Sequence, residues 1–285
     1  MFGVFDGHGG REVAQYCKAH WLDILQDREE FKNENYLESL RLSFLGVDEK
    51  LNAGGLEEVA EMKRKNPPNK SPLLKILTEA SSSGAGAQSD DALALDSIGC
   101  TANVVIIDEA RKKLYVANAG DSRAVMGRAG EAVPLSFDHK PESQVEIDRI
   151  EKAGSVITDG RVDGNLNLTR AIGDLKYKQK AHLKAEEHPI TANPDVFEYD
   201  FTNDCDFIIM GCDGVWEQKS NEEMVKWVYD QLGDNPQKAD LSKIVSNLLN
   251  ENLSEDHTMS SKCPHRIKPC RRTGLRQHDL YFDCL

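Results

Sequence analysis

Gly99-Cys-Thr-Ala-Asn-Val-Val-Ile-Ile-Asp108, Lys112-Lys-Leu-Tyr-Val-Ala-Asn-Ala119 and Ser122-Arg-Ala-Val-Met-Gly-Arg128 are three apolar runs separated by only a few residues each. Their period is two, and they are rich in β-branched residues, so they read as three strands joined by short turns. Glu131–Ser136 reads as a fourth strand.

Helical patterns lie on both sides of this run. Val13, Tyr16, Cys17, Trp21, Ile24 and Leu25 recur every three or four residues after Gly9-Gly10, and Leu37, Leu40, Phe44 and Leu51 do so near Asn35–Leu51. Ser143–Lys152 is amphipathic, Ser155–Thr158 starts a strand that turns at Gly160, and Val196–Tyr199 and Phe207–Gly211 are further strands. Four apolar residues in a row, Phe207–Met210, predict a strand covered on both faces. Two helices are expected at about Asn221–Leu232 and Asp240–Leu253, the first capped by Asn221 with Glu222 and Glu223 in its first turn. Phe2–Phe5 looks like the end of a strand running into Asp6. Strands in a run with helices before and after predict an α+β layered domain of antiparallel sheets. Residues 52–97 break the pattern. Lys63–Lys70 is basic with Pro67-Pro68, and Ser81–Gln88 is rich in Ser, Gly and Ala, so this stretch reads as a surface insertion with a mobile loop and a short helix at Leu73–Ala80.

Composition narrows the function. The chain has 285 residues, 39% hydrophobic and 29% charged, which is the balance of a globular domain. No stretch approaches the roughly 20 apolar residues of a membrane span, and Met1-Phe-Gly-Val-Phe-Asp lacks the basic and apolar regions of a signal peptide. Against 48 Asp and Glu stand 35 Lys and Arg, a net charge of −13, so binding to nucleic acid is not expected. Seven cysteines, an odd number with no C-x-x-C pair, suit a reducing compartment, the cytoplasm or nucleus. A monomer is expected.

Three acidic sites carry candidate chemistry: Asp6-Gly7-His8-Gly-Gly10, Gly120-Asp121-Ser-Arg123 and Cys212-Asp213-Gly214. A carboxylate leaving a buried strand end can point into a shared cleft, and the glycine after Asp6 or Asp213 lets the backbone carbonyl approach a ligand. Carboxylates that converge repel one another unless a hard divalent cation lies between them, and oxygen ligation favours Mg²⁺ or Mn²⁺. Asp-Gly is also a common turn dipeptide, and Asp159-Gly160 and Asp163-Gly164 read as turns.

Phe2-Gly-Val-Phe-Asp-Gly-His-Gly-Gly10 resembles the signature of the metal-dependent, type 2C serine/threonine protein phosphatases. The resemblance continues in order through Gly99-Cys-Thr-Ala102, Val116-Ala-Asn-Ala-Gly-Asp-Ser-Arg123, Asp138-His-Lys-Pro141, Leu168-Thr-Arg-Ala-Ile-Gly-Asp174, Asn193-Pro-Asp-Val196 and Phe207-Ile-Ile-Met-Gly-Cys-Asp-Gly-Val-Trp216. It implies a β-sandwich of two antiparallel sheets flanked by helices on both faces, a four-layer αββα fold, with a dinuclear Mg²⁺ or Mn²⁺ centre at one end. On this resemblance Asp6 bridges two metals, the Gly7 carbonyl binds one, Asp213 binds the other, and Asp121 holds a weaker third ion. Glu217 stands where many members have Asp. His8 resembles the proposed general acid, and an imidazole, which titrates near neutrality, can protonate a poor alkoxide leaving group. The implied reaction is attack on phosphoserine or phosphothreonine of phosphoprotein substrates by a metal-activated water. Cys212 is not expected to be a nucleophile, because the Arg of a C-x5-R loop would fall at position 218, which is Gln218.

The two ends differ from the pattern. Family members carry an upstream strand with a phosphate-binding Arg and a Glu-Asp pair, and this sequence starts after that segment. They close on a G-x-D-N-x-T strand, whereas residues 254–285 contain no Asp-Asn. Lys262–Gln277 has six Lys and Arg and no acidic residue, and Cys263, His265 and Cys270 lack a fourth partner for zinc. One allowed back-translation of Gly274–Leu285, read one nucleotide later, spells Asp-Cys-Asp-Asn-Met-Thr-Cys-Ile-Leu-Ile-Val, so 254–285 is expected to be an out-of-frame translation of the last strand. The expected organisation is a catalytic domain over 1–253, with the insertion at 52–97 and the atypical tail at 254–285. An inactive phosphoprotein-binding scaffold or fragment is the alternative.

Overall fold

The computed structural model describes residues 1–65, 95–233, 239–253 and 281–284. The chain opens with strands β1 (Phe2–Val4) and β2 (Gly7–His8), followed by helices α1 (Glu12–Gln26), α2 (Glu29–Lys32), α3 (Tyr36–Lys50) and α4 (Leu56–Lys65). Then come β3 (Gly99–Cys100), β4 (Ala102–Asp108), β5 (Lys113–Ala119), β6 (Arg123–Arg128), β7 (Glu131–Pro134), α5 (Gln144–Lys152), β8 (Ile157–Thr158), β9 (Arg161–Val162) and β10 (Ile172–Gly173). The last part holds β11 (Asp195–Asp200), β12 (Cys205–Gly211), α6 (Asp213–Trp216), α7 (Asn221–Leu232), α8 (Leu241–Leu253) and β13 (Tyr281–Cys284).

Two four-stranded antiparallel sheets result, in the orders β1-β4-β5-β11 and β13-β12-β6-β7. Side chains alternate between the two faces of a strand, and these strands are apolar on both, so both faces need cover. Val105 and Val116 of the first sheet meet Met126, Ile208 and Met210 of the second, forming the core between them. The neighbouring residues point outward. Val104 and Ala117 pack under Val13, Trp21, Leu25, Leu40 and Phe44 of α1 and α3. Val125, Phe207 and Ile209 pack under Met224, Val225 and Val228 of α7 and Ile244 and Leu248 of α8. Helices, sheet, sheet and helices make the four layers expected. No helix among the described residues is long and apolar enough to cross a membrane.

Several elements differ in detail from the sequence reading. Gly99–Asp108 is two strands rather than one. The Thr101 N–H turns to donate to the Asp6 carbonyl at 2.9 Å, while its hydroxyl meets that of Ser122 at 2.6 Å. This bend leaves β3 in a small sheet, β10-β3-β2, at one end of the sandwich. The cap of α7 is Ser220, whose Oγ accepts from the Glu223 N–H while the Glu223 carboxylate accepts from the Ser220 N–H. Asn221 instead accepts from Arg123 at 2.8 Å. Of the stretch 52–97, the described part 52–65 is helical. It passes through a turn at Gly54, with φ of 130°, into α4, whose Val59 is 0% exposed and joins the core under α1 and α3. Residues 66–94, including Leu73–Ala80 and Ser81–Gln88, and 254–280 of the tail lie outside the described residues.

In the β6–β12 pairing Gly127 faces Phe207, and a Cβ at Gly127 would come within 2.4 Å of the Phe207 ring. Gly127→Ala should therefore destabilise the domain by about 1–3 kcal/mol, the usual range for overpacking. Urea unfolding checks this, and an unchanged midpoint would show that the ring does not lie over the glycine.

Candidate metal centre

β1 and β12 belong to opposite sheets and end at the same edge of the sandwich. Val4 of β1 is anchored between the sheets, and the chain leaves it for Asp6, whose carbonyl is held by Thr101. β12 ends at Gly211, Cys212 stays extended, and Asp213 begins α6. Two separately anchored strand ends thus release their carboxylates toward one point. Ligand atoms of Asp6, Asp213 and Cys212 all lie within 4.8 Å of one another. Both carboxylates are half-buried, and Cys212 packs among apolar residues including Val215 and Trp216. A Cβ on Gly7 would come within 2.8 Å of the Gly10 carbonyl, so the tight path from Asp6 into α1 needs glycine there. Two hard oxygen donors held close, next to a turn free of side-chain bulk, fit a divalent cation such as Mg²⁺ or Mn²⁺.

His8 lies next to this point. Its Nε2 and the Asp174 Oδ2 are 2.5 Å apart, with side-chain exposures of 24% and 2%. β3 brings them together, because Gly99 faces both His8 of β2 and Gly173 of β10. A Cβ on Gly99 would lie 2.2 Å from the Asp174 carboxylate and 2.7 Å from His8 Nε2. Glycine at 99 is therefore what lets the pair meet. A carboxylate only accepts, so Nε2 carries a proton and donates it to Asp174. Asp174 has left-handed backbone angles and donates its N–H to the Ile98 carbonyl at 2.9 Å. Asp48 of α3 accepts from the Gly173 N–H at 2.7 Å and from Lys178, pinning the segment around Asp174. Burial pushes the Asp48 carboxyl up from its ordinary value, against the pull of Lys178.

Asp121 does not join the group formed by Asp6, Cys212 and Asp213. It is buried in the turn after β5, where Lys140 donates to its carboxylate. Glu217 also lies outside the group, one turn after Asp213, to whose carbonyl its N–H donates at 2.9 Å. Behind Asp121 is a buried ionic network without a role in the sequence reading. The Gly120 N–H donates to His139 Nδ1 at 3.2 Å, so the ring proton is on Nε2 and goes to Asp195 at 3.1 Å. Arg170 bridges Asp195 at 2.7 Å and Glu146 at 2.7 Å, and Glu146 also accepts from Arg149 and Thr169. Burial raises the Glu146 carboxyl, but the Arg170 hydrogen bonds and the charges of both arginines outweigh it and hold the pKa at about 2. For Asp195 burial is likewise outweighed, by His139 and Arg170, again to about 2.

The family model for protein phosphatase 2C matches residues 1–258. "Probable protein phosphatase 2C 3" of Paramecium tetraurelia is 40% identical over 265 residues, covering 92% of this chain and 79% of that protein. "Probable protein phosphatase 2C 21" of Arabidopsis thaliana is 37% identical over 275 residues, covering 92% and 76%. Among solved structures, a phosphatase from Toxoplasma gondii superposes with a TM-score of 0.58 at 24% identity, covering 88% of this chain and 78% of that one, a likeness of fold. The chain belongs to the protein phosphatase 2C family and is by that membership a serine/threonine protein phosphatase.

Glu146 titrates at about 2 in the folded chain and at about 4.3 when unfolded. A depressed folded-state pKa adds stability above the unfolded value, and that stability is lost as pH falls from about 4.3 toward 2. Glu146→Gln should cost about 3–5 kcal/mol at pH 7, by leaving buried Arg149 without its carboxylate and Arg170 with Asp195 alone. It should also flatten the acid limb by up to about 1.4 kcal/mol per pH unit. Urea midpoints between pH 2 and 7 test both, and an acid limb as steep as that of the parent would contradict the assignment.

Proposed function

We infer that the chain hydrolyses phosphoserine and phosphothreonine in proteins with the help of Mg²⁺ or Mn²⁺ at Asp6, the Gly7 carbonyl and Asp213. The observation that carries this reading is the meeting of the Asp6 and Asp213 carboxylates, released by strands of opposite sheets, two residues from His8. Divalent cations held by Asp6, the Gly7 carbonyl and Asp213 would activate water near neutral pH and offset charge on the phosphoryl oxygens.

The chain's own groups do the rest. Asp6 and Asp213 hold the cations, and Gly7 leaves space for its carbonyl to reach them. His8 donates a proton to the departing Ser or Thr oxygen. In its protonated form the ring has two N–H groups, and Asp174 engages the one at Nε2, so the proton at Nδ1 is the one to be transferred. Asp174 therefore sets ring orientation and is a positioning residue. Asp121 is the proposed ligand of a weaker third ion, which must displace the Lys140 ammonium to bind.

Asp6→Asn and Asp213→Asn should each abolish Mn²⁺ binding in titration calorimetry, together with Mn²⁺-dependent hydrolysis of a phosphothreonine peptide. Binding as strong as in the parent would refute the ligand assignment. Asp174→Asn should lower kcat by about 10–100-fold with KM nearly unchanged, a part of the 10²–10⁴ that general acid catalysis contributes. Steady-state kinetics decide this, and a loss confined to KM would make Asp174 a substrate contact instead.

A further inference from the structure

Strand β11, Asp195-Val-Phe-Glu-Tyr-Asp200, ends its sheet: it pairs with β5 on one side and has no second neighbour among the described strands. The residue after it fixes its hydrogen-bond phase. The Phe201 N–H donates to the Lys112 carbonyl at 2.9 Å, and these two residues lie opposite each other in the register of the pair. In an antiparallel ladder every second opposed pair exchanges hydrogen bonds. Tyr199, Phe197 and Asp195 therefore bond to β5, and the main-chain N–H and C=O groups of Val196, Glu198 and Asp200 point to the open edge. The Asp200 carbonyl accepts from Arg128 at 2.8 Å. Among the described residues no side chain bonds the main chain of Val196 or Glu198.

The two faces beside this edge differ in chemistry. Phe197 and Tyr199 lie on the face toward the second sheet, where the Tyr199 hydroxyl donates to the Leu135 carbonyl at 3.2 Å. Phe137 follows on that same segment. Its carbonyl accepts from the Asn118 amide at 2.9 Å, and its ring meets Phe197 edge to face, with centroids 5.8 Å apart. The Phe137 side chain is nevertheless 54% exposed, so a ring on a fixed backbone is presented beside the edge strand. The other face, under α3, is acidic at its rim. Glu198 and Asp200 share Lys113, at 2.8 and 2.9 Å, and Glu38 of α3 shares Arg41 with Glu186. In these two groups four carboxylates stand against two cations, and the Asp200 side chain is 70% exposed.

An open edge with unused N–H and C=O groups is a template for an added strand. A second copy of this chain suits it poorly, because β11 paired with itself would bring the Glu198 and Asp200 carboxylates of both copies together, and like charges across a ladder repel. A strand with basic side chains on one face and apolar ones on the other meets both requirements. Opposite Glu198 in an antiparallel pair, a basic residue would exchange main-chain bonds with Glu198 and point its charge to the same face. Its apolar neighbours would then turn to the side of Phe137 and Phe197.

We propose that β11 is the docking edge for an extended segment of a partner protein that alternates basic and apolar side chains and adds to the sheet as an antiparallel strand. The probe is a fluorescent peptide alternating lysine with valine or phenylalanine, titrated into the full chain and followed by anisotropy. It should bind saturably, and amide exchange at Val196 and Glu198 should slow by about tenfold. Methylating the lysine amides, which keeps the charge and removes the donors to β11, should abolish binding, while methylating the apolar residues' amides should not. The Glu198→Lys/Asp200→Lys double variant should weaken binding about tenfold, and Phe137→Ser about threefold. All three side chains are at least partly exposed, and an unchanged urea midpoint verifies that the variants fold. Absence of saturable binding, equal binding of the lysine-methylated peptide or of one with glutamate for lysine, or affinity undiminished in the double variant would overturn the proposal. So would a dimer in sedimentation that protects the Val196 and Glu198 amides without peptide, since the edge would then belong to a second copy.

Discussion

Two carboxylates brought within a few ångströms of each other repel, and the sandwich fixes the strand ends that carry Asp6 and Asp213 side by side. Asp6 is tied to Val4 in the core between the sheets, and Asp213 follows Met210 in the same core. Their backbones can separate only if a strand is dragged out of apolar contact. Burial of Val, Met and Ile side chains contributes about 1.5–3 kcal/mol each, so several such residues outweigh the repulsion of two half-exposed charges. On the function proposed above, a hard divalent cation relieves the remaining unfavourable energy.

Around this point the fold uses polar groups for position. His8 and Asp174 meet above Gly99, and the segment carrying Asp174 is fastened to α3 through Asp48. The Glu146, Arg149, Arg170, Asp195 and His139 network reaches the turn of Gly120 and Asp121 from behind. Buried ion pairs of this kind add little net stability over apolar packing, because desolvation offsets their attraction. Their directional bonds orient these loops beside a small apolar cluster of Ile150, Leu168, Ala171 and Ile190.

Much of this was legible in the residues because it depends on local pattern. The unbroken run Phe207–Met210 required cover on both faces, and the stripe from Val13 to Leu25 required a helix against a sheet. Asp6 and Asp213 stood out because each follows an apolar strand and precedes glycine. Interactions that cross the chain were not legible. Asp174 lies 166 residues from His8, and only the fold shows that the two meet. The break in Gly99–Asp108 is set by bonds from Thr101 to Asp6 and Ser122, which no periodicity records. Ser220 and Asn221 are both good caps by residue type, and the choice between them was made by Arg123, which binds Asn221. Helix α4 was read as part of an insertion because the basic run from Lys63 with Pro67-Pro68 begins within it, and Val59 is its one fully buried side chain.

The central claim is that the ends of β1 and β12 form one cation site. Anomalous scattering from a crystal of this chain grown with Mn²⁺ tests it directly. The account predicts a manganese peak within bonding distance of both the Asp6 and Asp213 carboxylates. A peak bound elsewhere, with these two carboxylates unligated at saturating Mn²⁺, would contradict it.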